Sequence, residues 1–520
     1  MRVGLHHLLE ERALTHGAGA ALTYGETTRT YAELWETVAR FGRGLIELGL
    51  ERDDRVAVFL EKRLETVESI FGVSAAGGVF VPVNPLLKPQ QVAYILDNCG
   101  VRVLVTSAAR LALLAPSLAD CPRLERVVLV DEAETAHDTT LPVHAWDDAT
   151  SHEPGLPQTE RVDLDMGAIL YTSGSTGLPK GVVLTHRNLI VGAESVSEYI
   201  GNTSEDVILS ALPLSFDAGF SQLTTAFNVG AHVVLMNYLM PGDVVRLCER
   251  HEVTGLTCVP PLWIQIAQQS WPEDVGGRLR YFANTGGRMP RTTLDQLRRL
   301  FPRARPYLMY GLTEAFRSTY LDPSEVDRRP DSIGKAIPNA EILVVHPDGT
   351  PCGPGEEGEL VHRGPLVALG YWDDPERTAE RFRPAPGHDA PWRAPEMAVW
   401  SGDTVVRDEE GFLYFVGRAD EMIKTSGYRV SPTEVEEAAY ATGLVRDAVA
   451  LGTDDPVLGQ KVALVVTSVD GELAAADVIA ALRRDLPLYM VPATVDVRDE
   501  IPRSPNGKFD RTLLREQLAR

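Results

Sequence analysis

Residues 167–185 read Gly-Ala-Ile-Leu-Tyr-Thr-Ser-Gly-Ser-Thr-Gly-Leu-Pro-Lys-Gly-Val-Val-Leu-Thr. The apolar run Gly167–Tyr171 and the run Val182–Thr185 have the composition of short buried strands. Between them, three glycines and four hydroxyl residues leave backbone N–H groups accessible, and Lys180 adds positive charge. Such a loop can surround phosphate oxygens. Its spacing is not that of Walker A, and it leads into a strand where that motif leads into a helix. A Gly/Ser/Thr-rich loop can equally be a surface turn, so neighbouring signals decide.

On the N-terminal side, helical-period stretches such as Tyr31–Leu48 alternate with short β-branched runs: Arg55–Leu60, Gly78–Val83 and Val101–Thr106. That alternation predicts βαβ units and largely parallel sheets. Thr30 reads as the N-cap of the first long helix, with Glu33 completing a capping box. A second α/β stretch runs to about Arg329 through Val233–Met236, Gly255–Val259 and Tyr281–Thr285. From Asp331 to Val416, Asp348-Gly349, Pro354-Gly355 and Glu410-Gly411 break the chain into short strands, as in a small antiparallel barrel or sheet. After Gly417, helices near Ser431–Tyr440 and Ala474–Asp485 surround strands near Val445–Gly452 and Lys461–Thr467. The expected fold class is therefore α/β. A large N-terminal domain, 1–419, holds two α/β subdomains (about 1–330) and a small β subdomain (about 331–416), and a small mobile α+β domain spans 420–520.

At 520 residues the chain exceeds what one core usually organises. Fifty basic against 73 acidic residues give a formal charge of −23, which withholds the basic footprint of nucleic-acid binding. No apolar run reaches the roughly 20 residues that span a bilayer, and Glu10 and Glu11 sit where a signal peptide needs apolar residues. The reading is cytoplasmic, with no membrane span. Cys99, Cys121, Cys248, Cys258 and Cys352 show no CxxC or Cys/His ligand spacing, so disulfide and structural-metal scaffolds are not expected.

Further motifs follow in order: Tyr310-Gly311-Leu312-Thr313-Glu314, Ser401-Gly402-Asp403, Gly417-Arg418 before Asp420, and Asn506-Gly507-Lys508. Together with the 172–180 loop, this set resembles the adenylate-forming superfamily of acyl-CoA synthetases, amino-acid adenylation enzymes and firefly-type luciferases. The resemblance runs from Thr30-Tyr31-Ala32-Glu33-Leu34 to Gly507-Lys508-Phe509-Asp510-Arg511. It implies an AMP-forming ligase that uses ATP and Mg²⁺. Thr172, Ser173, Ser175, Thr176 and Lys180 would contact the β- and γ-phosphates. Gly286, Gly287 and Arg288 would border the adenine, on which Tyr310, followed by Gly311, would stack. Thr313 would bind the α-phosphate and Glu314 the metal ion. Asp403 would accept from both ribose hydroxyls, and Arg418 would assist at the ribose or the phosphates. Asp420 falls at the hinge, Gly427 at the pantetheine tunnel and Lys508 at the catalytic lysine of the C-terminal domain.

The chemistry accounts for these residue types. A carboxylate attacking phosphorus brings anion against anion, so cations and hydrogen-bond donors must offset the charge and hold the groups in line. The nucleophile is already ionised at neutral pH and needs no general base. Transfer to a thiol then requires a second arrangement, which rotation about Asp420 would provide.

By the same resemblance, Asp217 matches the aspartate that pairs with an amino acid's ammonium group. The acid pocket would be lined by Ala218, Ser221, Cys258, Ala283, Thr285, Met309, Arg317 and Ser318, with Met309 shortening it. Arg317 departs from the usual small or apolar residue. It could neutralise Asp217 and leave a site for an uncharged acyl group, recognise a side-chain carboxylate, or point away into a structural ion pair; the last is the preferred expectation. The segment Tyr310–Leu321 also looks close to ligases encoded with polymer or natural-product assembly systems. No phosphopantetheine attachment segment is seen, so the thiol is expected on another molecule, and basic stretches such as Arg298–Arg305 and Arg483-Arg484 could meet it.

The leading expectation is adenylation of a small amino acid and its transfer to the phosphopantetheine thiol of a discrete acyl or peptidyl carrier protein. The alternatives are an acyl-CoA ligase for a short or medium carboxylic acid and, more remotely, a non-catalytic nucleotide-binding relative.

Overall fold

The computed structural model describes residues 2–131, 139–156, 161–172, 179–387, 391–418, 423–425, 428–455, 458–486, 488 and 490–518. Thr30 caps the helix Tyr31–Glu47, and Glu33 returns the reciprocal bond of a capping box. The strands Arg55–Phe59, Val79–Pro82, Val103–Thr106, Arg126–Leu129 and Val143–Ala145 pair in parallel. The strand Met166–Thr172 joins Val79–Pro82 in parallel and forms an antiparallel hairpin with Lys180–Thr185. Gly370–Tyr371 pairs with Lys180–Thr185 and closes the eight-stranded sheet.

A second sheet, of 14 strands among the described residues, carries the other α/β half. Its parallel part runs through Val207–Ser210, Gly255–Cys258, Tyr281–Asn284 and Arg305–Tyr310. After Tyr310 the pairing turns antiparallel, through Thr319–Leu321 and Ser332–Ala336, into Leu413–Arg418, Met397–Arg407, Glu357–Arg363 and Glu341–Val345. The β region expected over 331–416 is thus continuous with the preceding sheet. The helices Leu64–Ala76 and Asp217–Val229 are buried along nearly their whole length, and the main core cluster draws on strands of both sheets. Such all-round burial suits helices without a polar face.

The C-terminal part has its own core around Val435, Val449, Leu464 and Leu482. The helices Pro432–Ala441 and Ala475–Asp485 pack with the strands Val445–Asp455 and Gly459–Ser468, and Thr494–Arg498 adds a parallel strand. The large N-terminal and small C-terminal domains match the expected class. All five cysteines are free and buried, and no helix of the described residues is long and apolar enough to cross a membrane.

Candidate active site

The candidate site lies where the C-terminal ends of the parallel strands meet the Lys508 turn and the hairpin that carries Lys180. Ser173, Ser175, Thr176, Asp420 and Gly427 fall outside the described residues, as does the side chain of Arg418. The others can be placed.

Lys180 begins the second strand of the hairpin, and its Nζ lies 2.9 Å from Glu314 Oε1 and 2.7 Å from the Tyr371 hydroxyl. The same hydroxyl donates to Glu314 Oε1 at 2.6 Å. Burial alone would raise the Glu314 carboxyl, but the Lys180 ammonium and the phenol outweigh it and hold the acid below its ordinary range. Glu314 is therefore an anion here, the state a metal ligand requires. Thr172 Oγ1, at the end of its strand, is buried without a hydrogen-bond partner among the described residues. A buried hydroxyl so placed suits a phosphate oxygen.

Asp403 is 3% exposed and accepts a short hydrogen bond from the Tyr310 hydroxyl. Across the antiparallel pair it faces Arg418 in register. Gly286 has φ +75°, where a Cβ would stand 3.3 Å from Lys508 Cε and 3.1 Å from Val259. Asn284 Nδ2 donates to the Gly287 carbonyl at 2.7 Å and fixes that turn. Arg288 pairs with Asp331 at 2.6 Å and with Glu437 of the C-terminal domain at 3.4 Å. Lys508, far beyond Gly286 in sequence, reaches to 5.2 Å from the Phe216 ring.

Asp217 opens a buried helix immediately after Phe216, so its carboxylate sits at the positive end of that helix. Arg317 follows the single turn Thr313–Ala315 and Phe316, whose φ of +54° is rare for a bulky residue. The Phe316 ring occupies the space a side chain at Gly192 would fill. This strained turn directs Arg317 inward, where its Nη1 donates to Asp217 Oδ2 at 3.1 Å. The expectation that Arg317 points away is corrected: both partners are nearly inaccessible, at 3% and 4%. Packing of Phe316 against the helix His186–Ile200 removes the freedom that a solvent-exposed arginine would have. Burial raises the Asp217 carboxyl, and the charges of Arg317 and Lys508 pull it back. Asp217 Oδ1 and Arg317 Nε are buried with no hydrogen-bond partner among the described residues.

Beside this pair is a cavity of about 20 Å³ lined in part by Ala218, Ser221, Tyr281, Met309 and Arg317, room for about one water. Four expected lining residues fall outside that lining. Cys258 packs in the apolar cluster with Trp263 and Ala283 in that with Tyr307, Thr285 is buried after its strand, and Ser318 bonds His362 Nδ1 at 3.0 Å.

Three contributors escaped the sequence. Tyr371 enters because a short strand pairs it with the hairpin. Buried Lys62 donates to the carbonyls of Ser210 and Leu212, on the approach to Phe216, at 2.7 and 3.0 Å; burial lowers its pKa to about 7. Asn84 meets the Lys508 turn. None belongs to a local motif; each is assembled by tertiary contact.

The sequence profile of the AMP-binding enzyme family matches residues 9–372, and that of the AMP-binding enzyme C-terminal domain matches 434–508. The chain belongs to the AMP-binding enzyme family. Feruloyl-CoA synthase of an Amycolatopsis species is 32% identical over 514 residues, covering 98% of this chain and 97% of the relative. A linear gramicidin synthase polypeptide of Brevibacillus parabrevis is 29% identical over 98% of this chain, which spans only 10% of that protein. ATP-bound MatB from Rhodopseudomonas palustris superposes with a TM-score of 0.87 at 25% identity, over 100% of this chain and 99% of its own. MenE from Bacillus subtilis, in complex with ATP and magnesium ion, does so with 0.82 at 25% identity over 99% of each chain. This member is an AMP-forming ligase of the acyl- and aryl-CoA ligase group, a group in which ATP and Mg²⁺ are typical.

Proposed function

We propose that this AMP-forming ligase activates a small amino acid that carries a second acidic group, and passes it to the thiol of a phosphopantetheine arm. The observation that supports this reading is the buried Asp217–Arg317 pair, with one acceptor and one donor unmet among the described residues. A buried polar atom without a partner costs about 1–3 kcal/mol, more if charged, and such atoms persist where a ligand meets them. A substrate ammonium suits Asp217 Oδ1. An ammonium alone would leave two cations around one buried carboxylate. A second carboxylate, received by Arg317, restores the balance. At about 20 Å³ the cavity holds about one water, so the side chains around it must shift to admit even a compact acid.

On this reading the reacting carboxylate attacks the α-phosphorus of ATP and pyrophosphate leaves. Thr313 and Lys508 steady the α-phosphate and the attacking oxygen, Lys180 and the 172–180 loop hold the leaving group, and Asp403 holds the ribose. Glu314 would hold Mg²⁺, which supplies charge neutralisation on the phosphate oxygens.

A second reading, an acid without an ammonium group, is favoured by the end-to-end likeness to feruloyl-CoA synthase; the Asp217–Arg317 pair would then stay closed as a neutral pocket wall. Pyrophosphate exchange decides between them, using an amino dicarboxylic acid, its des-amino analogue, a small neutral amino acid and a short fatty acid. The amino dicarboxylic acid should lead, and Asp217→Asn should depress the two ammonium-bearing acids by orders of magnitude while sparing the others. Equal losses for all four acids, or a leading fatty acid, would overturn the proposal. Turnover with a carrier protein against free coenzyme A at matched concentration then identifies what bears the arm; the carrier protein is the expected acceptor.

A further inference from the structure

We propose that Asn84 is a positioning residue for adenylate formation: it seats the turn that carries Lys508. Asn84 follows the strand Val79–Pro82 and is 6% exposed. Its Oδ1 accepts from Leu86 N at 2.9 Å, and its carbonyl accepts from Leu87 N at 3.1 Å. The local loop therefore fixes the amide orientation and commits its oxygen, leaving Nδ2 to face outward. Nδ2 donates to the Pro505 carbonyl at 3.0 Å and to Asn506 Oδ1 at 3.3 Å. Both acceptors lie just ahead of Lys508, at the opposite end of the chain from Asn84.

The turn they belong to is itself braced. Gly507 N donates to the Ser504 carbonyl at 2.9 Å and Ser504 N to the Lys508 carbonyl at 2.7 Å. Gly507 has φ +79°, a conformation that suits glycine. A contact made to Pro505 and Asn506 is thus passed to the Lys508 backbone with little slack. The lysine side chain then needs only its own rotamers to reach the space between Phe216 and Gly286. Asn84 touches none of the reacting groups and acts through Lys508.

The chemistry of the contact makes it specific to one half-reaction. Adenylate formation needs an ammonium beside the attacking carboxylate. Thiol transfer needs that space for the pantetheine arm, so the Lys508 turn must leave and both Asn84 bonds must break. The inference rests on the reading of Lys508 as the adenylation lysine, and the test separates the two.

In the full-length chain, Asn84→Asp keeps the acceptor for Leu86 N but sets a carboxylate oxygen against the Pro505 carbonyl; Asn84→Ala removes the side chain. Loss of two hydrogen bonds should lower kcat for pyrophosphate exchange about tenfold or more in either variant, with KM for ATP within about twofold. Transfer from supplied adenylate to a pantetheine thiol should match the unsubstituted protein, which also reports that the variants fold. Adding Asn84→Ala to Lys508→Ala should slow exchange no further than Lys508→Ala alone. If Lys508→Ala slows exchange but Asn84→Ala does not, or if the two losses multiply, or if both half-reactions fall together, Asn84 does not position the lysine. If Lys508→Ala itself leaves exchange intact, the reading of Lys508 fails and the inference with it.

Discussion

Tyr371 shows how one hydroxyl can set the charge state of a site. It donates to the Glu314 carboxylate while accepting a hydrogen bond from the Lys180 ammonium. Tyr371→Phe removes a hydrogen bond to a charged group, worth about 1.5–3 kcal/mol, so kcat/KM for ATP should fall roughly ten- to hundredfold. The sign of the pH effect follows from the depressed Glu314 carboxyl: its anionic form persists to lower pH than an ordinary glutamate's. Without the phenol the acid limb of the pH–rate profile should move to higher pH, and an unmoved limb would show that Lys180 alone holds the carboxylate. At this scale Lys180, Glu314, Asp403 and Lys508 were legible in the sequence as ordered motifs. Tyr371 was not, because a tyrosine in a two-residue strand carries no spacing signal.

Among the elements, the helix Leu64–Ala76 pays for its central position with a buried acid. Glu68 is 1% exposed, its Oε1 lies 3.6 Å from Arg29 Nε, too far for a hydrogen bond, and burial pushes its carboxyl up to about 7. A raised carboxyl contributes stability that is fully present below about pH 4.3, the ordinary value, and is lost as pH rises through about 7. Glu68→Gln imitates the protonated form at every pH. Urea unfolding should therefore find the variant and the unsubstituted chain alike near about pH 4.5, with the variant ahead by on the order of 3 kcal/mol at about pH 8. A constant difference would mean that Glu68 is ionised in the folded state throughout. Capping at Thr30 and the alternation of helices with parallel strands were readable from periodicity and turn chemistry. The run of the small β region into the preceding sheet was not, since strand pairing between Leu413–Arg418 and Ser332–Ala336 is a long-range choice. The same holds for Arg317, whose direction depends on Phe316 packing against Gly192.

Across the whole molecule, the Arg288–Glu437 ion pair and the Asn84 contact join the two domains in the arrangement that brings Lys508 to the acid pocket. If the second half-reaction uses another arrangement with Gly427 lining the pantetheine path, Gly427→Phe should block thiol transfer while pyrophosphate exchange stays within about threefold, because that step draws on none of the tunnel. Equal loss in both steps would point to one fixed arrangement. The burial of the five cysteines has a chemical consequence of its own. An acyl adenylate is a strong electrophile, and any thiolate on the enzyme would compete with the intended acceptor. Burial raises all five thiols, to about 11 for Cys99 and Cys121 and about 12 for Cys248, with Cys258 and Cys352 also raised. At neutral pH each stays protonated and out of reach. Incubated with ATP and its acid but no acceptor, the native protein should show no thioester adduct by intact mass, whereas the denatured chain should react with iodoacetamide at all five cysteines. So far as its cysteines are concerned, the ligase is inert toward its own acyl adenylate.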